Sequence, residues 1–547
     1  MVTHAAKRSG QSSPADKLSI NSESDKIVIF LSASCRHPTG TVQRIQFNPP
    51  MFHFSPLQTP LRIGSLAIAV ALTACAVGPD YQRPQPLRDG SAPAFSDSKA
   101  WKPAEPGQAG LNPDWWSRYQ DPLLDQLLAQ CMEANASLAQ AQAVYLQTAA
   151  LVPAAQAGAG PTVAASGGVS RSEAYSQGAS SVNTNHSWSV AASWEPDFWG
   201  RVGRSVELAG ANAQAAAGDL AYARLVLQTT LVNDYLQLRL SDRQLDLYDR
   251  LIAGYAKALQ IVQAQKQNGL ATQADIAQAT STLNATQALA EDLQLTRTQL
   301  NHAIAVLVGK LPAQFSVARQ AADSPLPVLP LIPTTLPSQL LERRPDIAAA
   351  ERRVAAANAN IGVQKAAWFP NLTLAASYGN AGPSFGNWIQ TPYEAWALGA
   401  TLAATLWDGG LRDAQSKQVQ AAFDAAAANY RQVVLNGFQE VEDNLSAIDQ
   451  LQREINFQQT AATAADTAAD VLLRQYRAGT APYTSVVTAQ ATALNAQRTL
   501  LQLQSRLLVA SATLMKALGG GWQSTTAFSS APTPSTQSTP PAPRTPL

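Results

Sequence analysis

Two long stretches of this chain carry apolar residues at alternating spacings of three and four. In the first, Leu245, Tyr248, Ile252, Tyr255, Leu259 and Val262 form the a/d seam of a coiled coil. This stretch runs from Arg201 to Leu311 with no proline until Pro312, and its single turn signal is Gln267, Asn268, Gly269, Leu270. Past the turn the seam resumes at Ile276, Ala279, Leu283, Thr286, Ala290 and Leu293, admits Arg297 as its one charged member, and continues at Leu300, Ile304 and Leu307. The second stretch, Arg412 to Leu518, turns at Arg477, Ala478, Gly479, Thr480 and repeats the seam as Phe438, Val441, Leu445, Ile448, Gln452 and Ile455. Each stretch therefore predicts a helical hairpin. A descending arm of roughly 67 residues, at about 1.5 Å per residue, is on the order of 100 Å long. Such arms exceed the diameter of a globular domain and are expected to project from the body of the protein.

Elsewhere the period changes to two. Thr162 to Ser172 and Thr184 to Trp194 read as strands joined by Gly- and Ser-rich sequence, with His186, Trp188, Val190, Ala192 and Trp194 opposite Ser187, Ser189 and Ser193. A second pair lies at Asn371 to Tyr378 and Tyr393 to Trp407, where Trp396, Leu398, Ala400, Leu402, Ala404 and Leu406 share one face. Strands of about ten residues, apolar on one face and aromatic near their ends, suit a transmembrane β-barrel, with Trp188, Trp194, Trp396 and Trp407 at the membrane interfaces. The same alternation also fits one sheet of a soluble sandwich. One chain would supply four strands, whereas roughly eight is the smallest closed barrel and open edges are not tolerated in lipid. Several copies are therefore expected to pool their strands, with their hairpins side by side as a helical tube.

The two halves repeat. Gly160-Pro161 answers Phe369-Pro370, Asp197 and Arg201 answer Asp408 and Arg412, and Gly269 answers Gly479, all at an offset of 209 to 211 residues. The proline-dense joint is 312–337, between a first repeat at 121–311 and a second at 338–520. Asp121-Pro122 starts a helix that is expected to run through Pro153 toward Gly160. Before it, 75–120 is extended and proline-marked and is expected to lie along another surface; 521–547 is Ser-, Thr- and Pro-rich and is expected to be disordered.

Composition narrows the function. The net charge of +1, with 14% charged residues, offers no basic surface for nucleic acid. Mean hydropathy of -0.10 argues against a bundle of membrane-spanning helices. The one long apolar run, Ile63 to Val77, follows Arg62, contains Leu72-Thr73-Ala74-Cys75, and is too short to span a bilayer comfortably. It reads as a leader at 51–74 that resembles a bacterial lipobox and is cut before a lipidated Cys75. Residues 1–50 are then an over-extended start. Cys131 would have no disulfide partner and reads as a buried packing residue.

Several motifs together resemble the outer-membrane efflux lipoproteins of the TolC-like family, NodT type. They are Cys75-Ala76-Val77-Gly78-Pro79-Asp80-Tyr81, Trp115-Trp116, Trp194-Glu195-Pro196-Asp197-Phe198-Trp199-Gly200-Arg201, Leu341-Glu342-Arg343-Arg344-Pro345-Asp346-Ile347, Trp407-Asp408-Gly409-Gly410 and Phe438-Gln439-Glu440-Val441-Glu442-Asp443-Asn444-Leu445. The resemblance implies an internally duplicated α+β membrane protein: a homotrimer with a twelve-stranded barrel and a periplasmic α-helical tunnel. It also implies a periplasmic adaptor and an inner-membrane pump, usually of the resistance-nodulation-division class, as partners. Adaptor docking would fall at the tips Asn268-Gly269-Leu270 and Ala478-Gly479-Thr480, although each Gly would also serve a plain helix turn. Relatives often place an aspartate at the tunnel constriction where this chain has Thr488, with Gln278 at the corresponding place in the first copy. Asp275, one turn nearer its tip, is a substitute or a solvated helix residue.

No paired His at metal spacing, G-x-S-x-G or phosphate loop is present. No catalysis, metal or cofactor is expected beyond the lipid on Cys75. The favoured reading is the outer-membrane duct of a tripartite efflux pump for drugs or other small molecules. A duct of a type I polypeptide secretion system and a periplasmic coiled-coil adaptor are the alternatives.

Overall fold

The computed structural model describes residues 77–85, 114–176, 178–321, 327, 329, 344–384 and 394–522. Cys75, Leu341 to Arg343 and the 523–547 tail lie outside them. Two compact units divide the described residues. One is a sheet built from Gly160–Pro196 and Ala367–Arg412; the other is a helical body built from the remainder.

In the helical unit, a short 3-10 turn Trp115–Tyr119 leads into α1, Pro122–Ala134, whose N-terminus is capped by the Asp121 carboxylate accepting from the amides of Leu123 and Leu124. The expected single helix toward Gly160 is broken at Asn135. That residue adopts an extended backbone and accepts from Leu138 N at 3.0 Å, which starts α2, Ala136–Ala157, while its Nδ2 donates to Leu307 O at 2.9 Å. An amide that can cap one helix and hold another explains the break better than any helix propensity. Pro153 does lie inside α2.

The hairpin arms follow the seam spacing. They are α3 (Arg201–Gln267, 67 residues) with α4 (Gln273–Leu307, 35 residues), and, beyond α5 (Pro345–Ala366), α6 (Leu411–Arg477, 67 residues) with α7 (Tyr483–Ala517, 35 residues). Leu245, Tyr248, Tyr255, Val262, Ala279, Thr286, Arg297 and Ile304 are buried as the seam requires. In the second copy Gln452 is exposed and Leu451 takes the buried place. Burying a glutamine amide without a partner would cost about 1–3 kcal/mol, whereas the adjacent leucine gains by leaving water, so the seam takes Leu451 inward and leaves Gln452 to solvent. The core gathers around Trp115, Tyr119, Tyr235, Leu231 and Leu236 with Ile347, Tyr430 and Leu514, so it draws on both repeats. Cys131 is a free thiol within it.

The stretch Val77 to Tyr81 lies along this unit as expected. Val77 N donates to Trp199 O at 3.2 Å, Asn358 Nδ2 donates to Pro79 O at 3.0 Å, and Asp80 pairs with Arg204 at 3.0 Å. Gly78, at φ +117°, sits so close to Gly362 that a Cβ there would fall 2.6 Å from the Gly362 Cα.

The sheet unit is one antiparallel meander, β1 (Thr162–Ser176), β2 (Ala179–Trp194), β3 (Asn371–Gly382) and β4 (Glu394–Ala403), in that order. The Gly/Ser-rich sequence expected to be a linker is strand instead: β1 and β2 stay paired from Thr162↔Ser193 to Ser176↔Ala179. Backbone pairing with an adjacent strand overrides the low strand propensity of these small residues. At the other end β4 stops at Ala403, which pairs with Asn371, the first residue of β3. Trp407 therefore lies beyond the strand, 86% exposed, because no partner backbone remains to extend the ladder.

Candidate functional site

Cross-strand pairing fixes which side chains share a face of the sheet. Val190 pairs with Tyr378, and Tyr378 with Trp396, so alternation puts Val163, Trp188, Val190, Trp194, Tyr378, Trp396, Leu398 and Leu402 together. The other face carries Ser166, Ser187, Ser189, Ser193, Ser377, Gly399 and Thr401, where Ser166 and Ser189 share a hydrogen bond at 2.9 Å. Apolar residues on the first face are exposed: 67% for Val163, 73% for Trp396, 76% for Leu398 and 63% for Leu402. In a soluble sandwich this would be the covered face, so one of the two sequence readings loses its support. Trp188 and Tyr378 meet edge to face at 5.8 Å. Trp194 lies six residues further along β2, about 20 Å away at strand rise, with only apolar residues between on that face. Among the described residues, no helix is long and apolar enough to cross a membrane.

Both tips close in the same way. Gly269 N donates to Lys266 O and Leu270 N to Gln265 O, each at 2.9 Å; Gly479 N donates to Tyr476 O and Thr480 N to Gln475 O, again at 2.9 Å. This paired pattern ends a helix on a left-handed residue, and the glycines have φ of 75° and 76°. Leu270 is 79% exposed at its tip. Just inside, Tyr476 donates to Gln265 Oε1 across the two hairpins, and its ring lies 5.1 Å from that of Tyr483. Burial raises the Tyr483 hydroxyl pKa, with smaller contributions from Tyr476, Tyr255 and Asp275.

The residues considered for a constriction are not one cluster of charge. Thr488 is exposed on α7 with its hydroxyl donating to Thr484 O at 3.0 Å, and Gln278 is exposed on α4. Asp275 accepts from the Thr272 amide at 2.8 Å and the Thr272 hydroxyl at 2.7 Å, while its own amide donates to Thr272 Oγ1. Its carboxylate is thus committed to a capping box at the start of α4.

Two features went unassigned in the sequence. Arg344, 97% buried, pairs with Asp346 at 2.7 Å and with Glu440 at 2.9 Å and donates to Ala517 O. It thereby joins two of the quoted motifs. The carboxylates hold the Arg344 pKa up against the effect of its burial. Arg297, the seam's charged intruder, donates to Asp242 Oδ1 at 2.6 Å, and Arg239 donates to Asp242 Oδ2 at 3.2 Å. These arginines also hold the carbonyls of Val317 and Ala318, strapping the start of the inter-repeat joint onto the first hairpin. A buried arginine requires a buried acid within reach, so the seam itself carried the signal for Asp242.

Among the described residues, four paired strands with one exposed apolar sheet face and two long closed hairpins, repeated between the two halves, define an outer-membrane channel subunit. The signature of the Outer membrane efflux protein family matches residues 127–310 and 336–520, and the chain belongs to that family. It is 34% identical over 458 residues to the pyoverdine export outer membrane protein OpmQ of Pseudomonas aeruginosa, covering 80% of this chain and 94% of that one. It is 29% identical over 484 residues to the toluene efflux pump outer membrane protein TtgF of Pseudomonas putida, covering 84% and 96%. The solved structure of the outer-membrane channel OprN superposes with a TM-score of 0.75 at 28% identity, covering 82% of this chain and 100% of that one. The fold is the TolC-like one of trimeric channels with a β domain and a helical barrel. The protein is the outer-membrane component of an efflux system, and it resides in the outer membrane.

Proposed function

We propose that three copies of this chain close one barrel of twelve strands and that the resulting pore is a passive exit duct. The observation that carries this is a four-stranded sheet with β1 and β4 as its edges and its large apolar side chains exposed on one face. In hydrocarbon each unpaired edge amide and carbonyl costs several kcal/mol, roughly, so the edges need partner strands. No step of bond-making chemistry belongs to this reading; the driving force comes from an inner-membrane transporter, of the resistance-nodulation-division class, joined through a periplasmic adaptor. The tips Asn268-Gly269-Leu270 and Ala478-Gly479-Thr480 receive the adaptor, a reading supported by the exposed Leu270. A lipid on Cys75 anchors each copy, and Trp188, Trp194 and Trp396 mark the membrane interfaces. Cargo is a small molecule chosen upstream in the pump, a reading supported by relatives of the same fold being named for compounds as different as pyoverdine and toluene.

Purified protein in mild detergent is expected to run as a trimer and to conduct ions across a planar lipid bilayer; a monomer without conductance would overturn the reading. Leu270→Glu is expected to lower efflux in cells while trimer yield and conductance stay unchanged. Unaltered efflux in that variant removes docking from this tip.

A further inference from the structure

A cleft of about 470 Å³ opens between α3 and the α6–α7 hairpin, on the tip side of the helical unit. Its cause is a run of small residues where long arms face one another: Gly254 and Ala258 on α3, Ala469 on α6 and Ala493 on α7. A Cβ built at Gly254 would meet nothing within 4 Å, so the space is real at that point. Leu251 and Leu473 add apolar wall. The volume is that of a site for a drug-sized molecule.

The polar lining is unbalanced. Arg250, Lys257 and Arg477 line the cleft, and none of them has an ion-pair partner among the described residues; Arg250 reaches only the Asp246 carbonyl, at 3.3 Å. Against them stand Asp466 and Asp470, and Asp466 already accepts from Gln497 Nε2. Two further lining residues hold buried polar atoms with no hydrogen-bond partner, the Tyr255 hydroxyl and Gln490 Oε1, and Tyr255 is only 4% exposed. Cationic donors in excess around a small-residue floor are the chemistry that receives a carboxylate or sulfonate attached to an apolar body.

We propose that this cleft binds an amphipathic organic anion, its acid group on Arg250 and Lys257 and its apolar body against Leu251, Leu473 and Ala493. Because the cleft walls belong to both hairpins of one chain, an occupant wedges α3 against α6 and α7 and fixes their spacing. The site is separate from the exposed tip residues and does not depend on adaptor docking.

The test uses the full chain in lipid nanodiscs, titrated calorimetrically with 2-naphthalenesulfonate against empty nanodiscs. Saturable binding of one molecule per chain is expected, weakened by at least about tenfold in the double variant Arg250→Gln, Lys257→Gln. It should be lost in Gly254→Phe, which fills the space, and kept in Gly254→Ala, which does not. 2-Naphthylmethylammonium, the same body with the opposite charge, should bind no better than to empty nanodiscs. Absence of saturable binding, binding indifferent to Gly254→Phe, or equal affinity for the cationic probe would each overturn the proposal. Should Gly254→Phe fail to fold, the charge variants and the cationic probe decide the matter alone.

Discussion

The two hairpins have arms of identical length, 67 and 35 residues, and identical glycine turns, yet their interiors have diverged. In the first, Arg239, Asp242 and Arg297 form a buried ion cluster that holds the joint at Val317 and Ala318. At the matching offset of 210 the second carries Asp449, Gln452 and Leu507, with Asp449 on the surface paired to Arg453. Length and turn geometry set how far a hairpin reaches, and both copies keep them. The seam's interior need only be filled, so one copy filled it with compensated charge and the other with hydrocarbon.

Substitutions that make one copy resemble the other test this contrast. The largest effect is expected from Arg297→Leu, which introduces the second copy's residue and leaves Asp242 buried with one arginine: a loss of about 3 kcal/mol, read by chemical unfolding. Adding Asp242→Gln, the second copy's other residue, should restore part of that loss; a double variant no better than the single one would mean the cluster is not the cause. Next, Gly269→Ala and Gly479→Ala should each cost roughly 1 kcal/mol or slightly more, and equally, because a Cβ at either place meets nothing and only the left-handed backbone resists it. Unequal losses by the same measurement would show that the turns are not equivalent.

The smallest effect concerns Asp234, where the second copy has Asn444. Burial pushes the Asp234 carboxyl up to about 6. The folded chain thus holds this proton more tightly than the unfolded one, so stability falls as pH climbs from about 4 toward about 6 and stays lowered above that. Asp234→Asn should flatten this slope and gain about 1 kcal/mol at neutral pH, a discounted figure because the group keeps some contact with water. An unchanged pH profile of thermal unfolding would remove Asp234 as its source.

Much of this fold was legible because periodicity and turn chemistry are local. The 3-4 spacing fixed the hairpin arms, and Gly269 and Gly479 fixed where they reverse. What escaped depended on partners distant in sequence. β1 and β2 are longer than their alternation suggested because pairing carries strand structure through Ser and Gly, whereas β4 is shorter because β3 begins opposite Ala403. Asn135 breaks a helix partly through Leu307, and Asp275 is bound to Thr272 instead of standing free. The tip residues were named from sequence, but the bond from Tyr476 to Gln265 joins residues more than two hundred positions apart.

The open flanks of the sheet also bear on how genes for such a subunit behave. A lone copy has no comfortable resting place in a bilayer, so insertion and assembly must be one event. Where intact and damaged copies are made together, the fraction of wholly intact pores falls as the cube of the intact share, and an allele with a crippled strand would act dominantly.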